Sequence, residues 1–251
     1  MNTSLHILTG ASRGMGLSMA EQLLQKGNAL LCMSRHANSD LALVAQKANV
    51  PLTQWEQDLV DGAAASERLS AWLQSQNSAN FASVTLINNA GVIPPIVPLS
   101  QSCPGDLAQA LRVGLEAPMQ LCAAFLGATA AWTIPRKVLN ISSGLGRYPM
   151  ASQAGYCAAK AGMDHFTRCM ALDEALQPNG AKVCSLAPGV IDTDMQVQLR
   201  SAAGEAFPDQ AKFLQFKAQG QLSSPAQAAQ QVLRFLARPD FGREVVADVR
   251  G

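Results

Sequence analysis

The sequence predicts an α/β fold in which a parallel sheet of about seven strands is covered by helices on both faces. The fold forms a single domain over residues 1–251. Three observations carry this reading. Short apolar runs alternate with helix-period segments along the whole chain, the pattern of strand–helix–strand crossover units. A glycine-rich turn joins the first strand to the first helix. The 251 residues, 48% hydrophobic, can bury one sizeable core, and no repeat, low-complexity tract or linker divides them.

The elements follow in order. Leu5–Leu8 reads as a strand and leads into Thr9-Gly10-Ala11-Ser12-Arg13-Gly14-Met15-Gly16. A helix pattern then runs to Lys26, where Gly27-Asn28 stops it. Ala29–Met33 is the second strand, Asp40–Ala48 a helix, and Pro51–Glu56 the third strand. Asp61–Gln76 is helical, with Leu69, Trp72 and Leu73 on its apolar face, and Ser83–Ile87 is the fourth strand. After a loop holding Pro94, Pro95 and Pro98, a long helix spans Asp106 to about Ala130, and Gly114 and Pro118 predict an irregularity in it. Lys137–Ser142 is the fifth strand, Ser152–Gln177 a helix, and Ala181–Leu186 the sixth strand. Residues 192–222 are polar with helical pieces, Ser224–Ala237 is a helix opening on Ser-Pro, and Glu244–Val249 is the last strand.

Bulk properties exclude several function classes. A net charge of +1 without a basic stripe gives nucleic acid or an anionic membrane nothing to hold. The longest apolar run, Val84 to Leu99, contains Asn88, Asn89 and the three prolines, so no membrane span is expected. The N-terminus enters a strand pattern directly, without a basic region or cleavage site, and a cytoplasmic location is expected. Cys32, Cys103, Cys122, Cys157, Cys169 and Cys184 form no CxxC pair and read as free thiols of a reducing compartment. His6, His36 and His165 are scattered, and no metal site is expected.

Two motifs carry chemistry. Glycines in the first strand–turn–helix let backbone N–H groups approach a pyrophosphate lying on a helix N-terminus. The second strand ends Cys32-Met33-Ser34-Arg35, without the acid that bonds a ribose 2′-hydroxyl and repels a 2′-phosphate. Arg35, with Arg13 in the glycine loop, therefore favours NADP(H) over NAD. The second motif is Tyr156-Cys157-Ala158-Ala159-Lys160, whose phenol and ammonium share one helix face, with Ser143 upstream at a strand end. A phenol to move a proton, a lysine to lower its pKa and a serine to hold the oxygen are what carbonyl reduction requires. A free phenol titrates near ~10, and a neighbouring cation lowers such a value by roughly 1–3 units.

Taken together, TGASRGMG at 9–16, Asp58-Leu59, NNAG at 88–91, ISS ending at Ser143, Tyr156-xxx-Lys160 and Pro188-Gly189-Val190-Ile191-Asp192-Thr193 resemble the short-chain dehydrogenase/reductase family. The stretch 187–196 and the ending Val246-Ala247-Asp248-Val249-Arg250 look like its sepiapterin reductase and bacterial benzil reductase subgroup. The resemblance implies a Rossmann-type, doubly wound sheet and an NADPH-dependent carbonyl reductase acting on a ketone or dicarbonyl. It implies that Gly10, Arg13, Gly14 and Gly16 surround the cofactor phosphates, with Ser12 and Arg35 near the 2′-phosphate. Asp58 would bond the adenine amino group, and Asn89 and Gly91 would line the adenosine side. Pro188, Val190 and Thr193 would hold the nicotinamide amide, and Lys160 would also bond its ribose beside Tyr156. Met15, Leu59, Ala90 and Gly189 complete that surface.

The substrate pocket implied is Ser143, Leu145, Tyr148, Met150, Tyr156 and Met195, with Asp248 as a polar anchor and 192–222 as a lid. The chain departs from the family at Arg112-Val113-Gly114-Leu115, where Gly114 stands in place of the usual Asn. In relatives the backbone carbonyl at that position holds a water of the proton relay, and a glycine keeps the carbonyl. The resemblance also implies a homodimer, or a tetramer, built from the helices of Gly114 and Tyr156. An alternative of another class is a catalytically weak NADP(H)-binding regulatory or scaffold protein, which Gly114 favours and the intact Ser143/Tyr156/Lys160 set disfavours.

Overall fold

The computed structural model describes residues 2–251. Seven strands form one parallel sheet in the order β3-β2-β1-β4-β5-β6-β7. They are β1 (Thr3–Thr9), β2 (Asn28–Ser34), β3 (Leu52–Glu56), β4 (Phe81–Asn88), β5 (Arg136–Ile141), β6 (Lys182–Ala187) and β7 (Val246–Asp248). The helices are α1 (Gly14–Leu23), α2 (Ser39–Ala48), α3 (Gly62–Gln74), α4 (Pro104–Leu111), α5 (Ala117–Ala128), α6 (Ala154–Ala175), α7 (Asp194–Ser201), α8 (Gln210–Ala218) and α9 (Pro225–Leu236).

The strand period of two sorts side chains onto the two faces. On β2, Leu30 and Cys32 join a core with α1, α2 and α9, whereas Leu31 and Met33 join one with α3, α5 and α6. Leu139 and Val138 divide in the same way on β5, as do Cys184 and Val183 on β6. Strands buried on both faces read as unbroken apolar runs, which is why they were legible in the sequence.

Most element boundaries shift by one to three residues from expectation, and two of the shifts have a visible cause. Helix α1 stops at Leu23, short of Lys26, because the Asn28 side chain donates to the Leu23 carbonyl at 2.9 Å and turns the chain. β3 begins after Pro51, whose only ladder group is a carbonyl, taken by the Leu30 N–H at 2.9 Å. The irregular long helix is α4, a π turn over 112–116, and α5. In the turn the Ala117 N–H reaches back five residues to the Arg112 carbonyl. Pro118 has no N–H to give the Gly114 carbonyl in the usual four-residue bond.

β1 and β4 are where the strand order reverses, so the carboxyl ends of the strands open a crevice there. Segment 192–222 folds over it as α7 and α8, which close a third apolar cluster of Ile96, Leu199, Phe207 and Phe213. Its base is stitched by a bridge between Ile191 and Ser223, and Asp192 pairs with Lys217 and with Arg200. No described helix is long and apolar enough to cross a membrane.

Candidate active site

The crevice is a cleft of about 860 Å³ along the carboxyl edge of the sheet. At one end lies the glycine turn. Gly10 has φ +69°, and a Cβ on Gly16 would fall 2.0 Å from the Gly10 carbonyl oxygen, so only glycine lets the turn fold onto α1. Thr9 Oγ1 accepts the N–H groups of Asn89 and Ala90 at 2.9 and 3.0 Å, and the Asn89 amide donates to the carbonyls of Thr9 and Gly10. The NNAG segment is thus a brace for the glycine loop as well as part of the wall.

A dinucleotide fits these residues. The first turn of α1 has no side-chain cap and no acid, so its N–H groups face the cleft unneutralised. Ser34 stands at the end of β2, where its Oγ accepts the Ala11 N–H at 2.9 Å. Arg35 lines the cleft next to it and makes no salt bridge among the described residues. Asp58 and Leu59 line the same end. Arg13 lines this end as well. Its guanidinium pairs with Asp194, the first residue of α7, at 2.5 Å, in an exposed bridge from the glycine loop to that helix.

At the other end, β5 delivers Ser143 and α6 delivers Tyr156 and Lys160. Lys160 is 4% exposed. Its ammonium donates to the Ile141 carbonyl at 2.7 Å and lies 5.8 Å from the centroid of the Tyr156 ring. Burial holds Lys160 down to about 8, opposed by Asp164. Burial pushes the Tyr156 phenol up to about 12, opposed by its bond to the Ser143 side chain. In the chain alone, without the oxidised nicotinamide expected to act with Lys160, burial sets the direction.

Every cofactor and substrate residue read from the sequence lines this cleft except Asp248. The Asp248 carboxylate is turned onto Arg250, which donates to it through Nε at 2.8 Å and a terminal nitrogen at 2.7 Å. Arg250 is the residue that reaches the cleft. Gly114 lies behind the wall, where a Cβ would meet the Ala159 Cβ at 3.0 Å, and its neighbour Val113 takes the place at the surface. Sequence reasoning missed the α8 aromatics Phe213 and Phe216, which line the cleft three residues apart. Their one-face helical spacing was the available signal.

A glycine turn at a topological switch point, with a serine–tyrosine–lysine set across the cleft, defines a dinucleotide-dependent oxidoreductase. Residues 5–204 match the family model for short chain dehydrogenase, and the chain belongs to that family. It is 34% identical to a benzil reductase ((S)-benzoin forming) of Bacillus cereus, over 94% of each chain. It is 29% identical to the sepiapterin reductase of Meriones unguiculatus, over 94% of this chain and 92% of that one. A short-chain dehydrogenase/reductase from Burkholderia vietnamiensis, 35% identical, superposes with a TM-score of 0.66 over 99% of this chain and 97% of the other.

Proposed function

We propose that this protein is an NADPH-dependent carbonyl reductase acting on a ketone or dicarbonyl of the benzil or sepiapterin kind. The observation that carries the proposal is the convergence of Ser143, Tyr156 and Lys160 on the cleft that the glycine turn opens. Bound NADPH supplies hydride to the carbonyl carbon. Ser143 holds the carbonyl oxygen, and Tyr156 gives that oxygen its proton. A phenol raised to about 12 stays protonated at neutral pH, which suits the donor of a reduction. Lys160 stabilises the phenolate left behind. The Gly114 carbonyl, deprived of its helical donor by Pro118, is the acceptor available to the relay that returns the proton.

Arg35, and the absence of an acid at the end of β2, support NADPH over NADH. Phe213, Phe216 and Met150 give the substrate end apolar walls, which favour an aromatic or planar substrate. Segment 192–222 is the lid over it. Exposed Met119 on α5, Leu172 on α6 and Leu176 at its C-terminal end support a homodimer through these helices.

The test is Tyr156→Phe, assayed by NADPH oxidation with diketones and pterins. Turnover is expected to vanish while NADPH binding persists. Retention of more than a few per cent of activity would remove Tyr156 from the role.

A further inference from the structure

Behind the catalytic residues lies a charged cluster that the reaction described above does not use. Asp164 sits on α6, one turn beyond Lys160, with its side chain 3% exposed. Ser185 on β6 donates to its Oδ1 at 2.7 Å. Its Oδ2 has no hydrogen-bond donor and faces Arg147, whose Nε lies at 3.5 Å. Arg147 donates from a terminal nitrogen to the Ala247 carbonyl on β7 at 2.7 Å. It follows the short 3₁₀ turn Gly144–Gly146 that begins at Ser143. That turn lies directly on α6. A Cβ on Gly146 would fall 2.8 Å from Asp164 Oδ2 and 2.9 Å from the Lys160 carbonyl oxygen.

We propose that Asp164 and Arg147 are positioning residues, whose ion pair holds the Ser143 turn in register with Tyr156 and Lys160. The inference rests on the catalytic reading above. Ser143, in the turn that follows β5, and Tyr156, on α6, stand on different elements, so their separation is set by whatever clamps the turn to the helix. A misplacement of about 1 Å costs roughly 100-fold in rate. A buried ion pair is rarely more stabilising than apolar residues of the same volume, whereas its direction and reach fix a geometry that apolar contact leaves loose. The pair also acts on charge. The charged groups facing Asp164 are Lys160 on its own helix and Arg147 from the turn. Cys184 on β6 is nearby and neutral, its thiol pushed up to about 12 by burial. Asp164 opposes the burial that holds Lys160 down.

The test uses Asp164→Asn, Arg147→Met and Arg147→Lys in the full chain. The readouts are kcat, KM, NADPH binding by fluorescence quenching, and the pH profile of kcat. Asp164→Asn and Arg147→Met are expected to lower kcat by about tenfold or more with NADPH affinity unchanged. Asp164→Asn should also move the alkaline limb of kcat to lower pH by roughly 1 unit, because Lys160 loses its supporting carboxylate. Arg147→Lys should recover part of kcat. A folded Arg147→Met with parental kcat overturns the proposal, as does a folded Asp164→Asn with an unmoved limb. If either of these variants fails to fold, Arg147→Lys decides: an intermediate kcat with parental NADPH affinity supports the clamp, and parental kcat overturns it. Tyr156→Phe separates the two levels. If it is active, the catalytic reading itself fails. If it is dead while the Asp164 and Arg147 variants run at the parental rate, only the clamp fails.

Discussion

Alanine at Gly114 would place a new Cβ 3.0 Å from the Cβ of Ala159 on α6, a few tenths of an ångström inside ordinary contact. Ala159 immediately precedes Lys160, so whatever the helix yields is passed to the lysine. Overpacking of this kind costs about 1–3 kcal/mol. Replacing glycine within a helix returns up to about 1 kcal/mol. The net expectation for Gly114→Ala is a loss of about 1 kcal/mol, seen as a fall in Tm of roughly 2–4 °C for a chain of this size. The kcat for NADPH-dependent diketone reduction should fall with it, since Lys160 is displaced from the Tyr156 ring. Ala159→Gly removes the opposing methyl group. In a double-mutant cycle read by thermal denaturation, the pair should couple favourably by about 1 kcal/mol. The reasoning is refuted if Gly114→Ala melts at or above the parent and its effect adds to that of Ala159→Gly without coupling. Gly114→Asn meets the same obstacle before its side chain can form any bond. A tenfold faster Gly114→Asn would show that the relay is impaired in the parent, whereas an unchanged rate would show that the backbone carbonyl suffices.

Arg35→Ala should raise KM for NADPH by about tenfold or more and leave KM for NADH unchanged, because a charge-assisted bond to the 2′-phosphate is lost; equal effects on both cofactors would refute the role. The pH profile of kcat in the reducing direction should have a falling limb near 8, because Lys160, held down to about 8 by burial, loses its charge as pH rises through that value. A rate that stays level up to pH 10 would show that the ammonium is not required. Phe213→Ala should raise KM for an aromatic diketone by roughly tenfold while NADPH affinity stays constant, since it removes a large apolar wall; an unchanged KM would place the substrate elsewhere in the cleft.

The sheet, its seven strands and most of the cleft were legible because their signals are short-range. A buried parallel strand needs only five or six apolar residues in a row. The glycine turn needs glycines at fixed spacing, and Tyr156 and Lys160 need only the pitch of one helix. The π turn at Gly114 was likewise announced by a glycine and a proline four residues apart. What could not be read locally are pairings between distant segments. Arg13 meets Asp194 across 181 residues, and Arg147 meets the Ala247 carbonyl across 100. Neither partner carries a sequence mark of the other. The C-terminal anchor was misread for the same reason. Asp248 and Arg250 are both polar and two residues apart in sequence, and only the seating of β7 against β6 turns the arginine to the cleft and the aspartate onto it. Likewise, the Tyr156 phenol, expected to be lowered by Lys160 together with an oxidised nicotinamide, is raised by burial in the chain alone, and a motif carries no information about how closely α6 is packed.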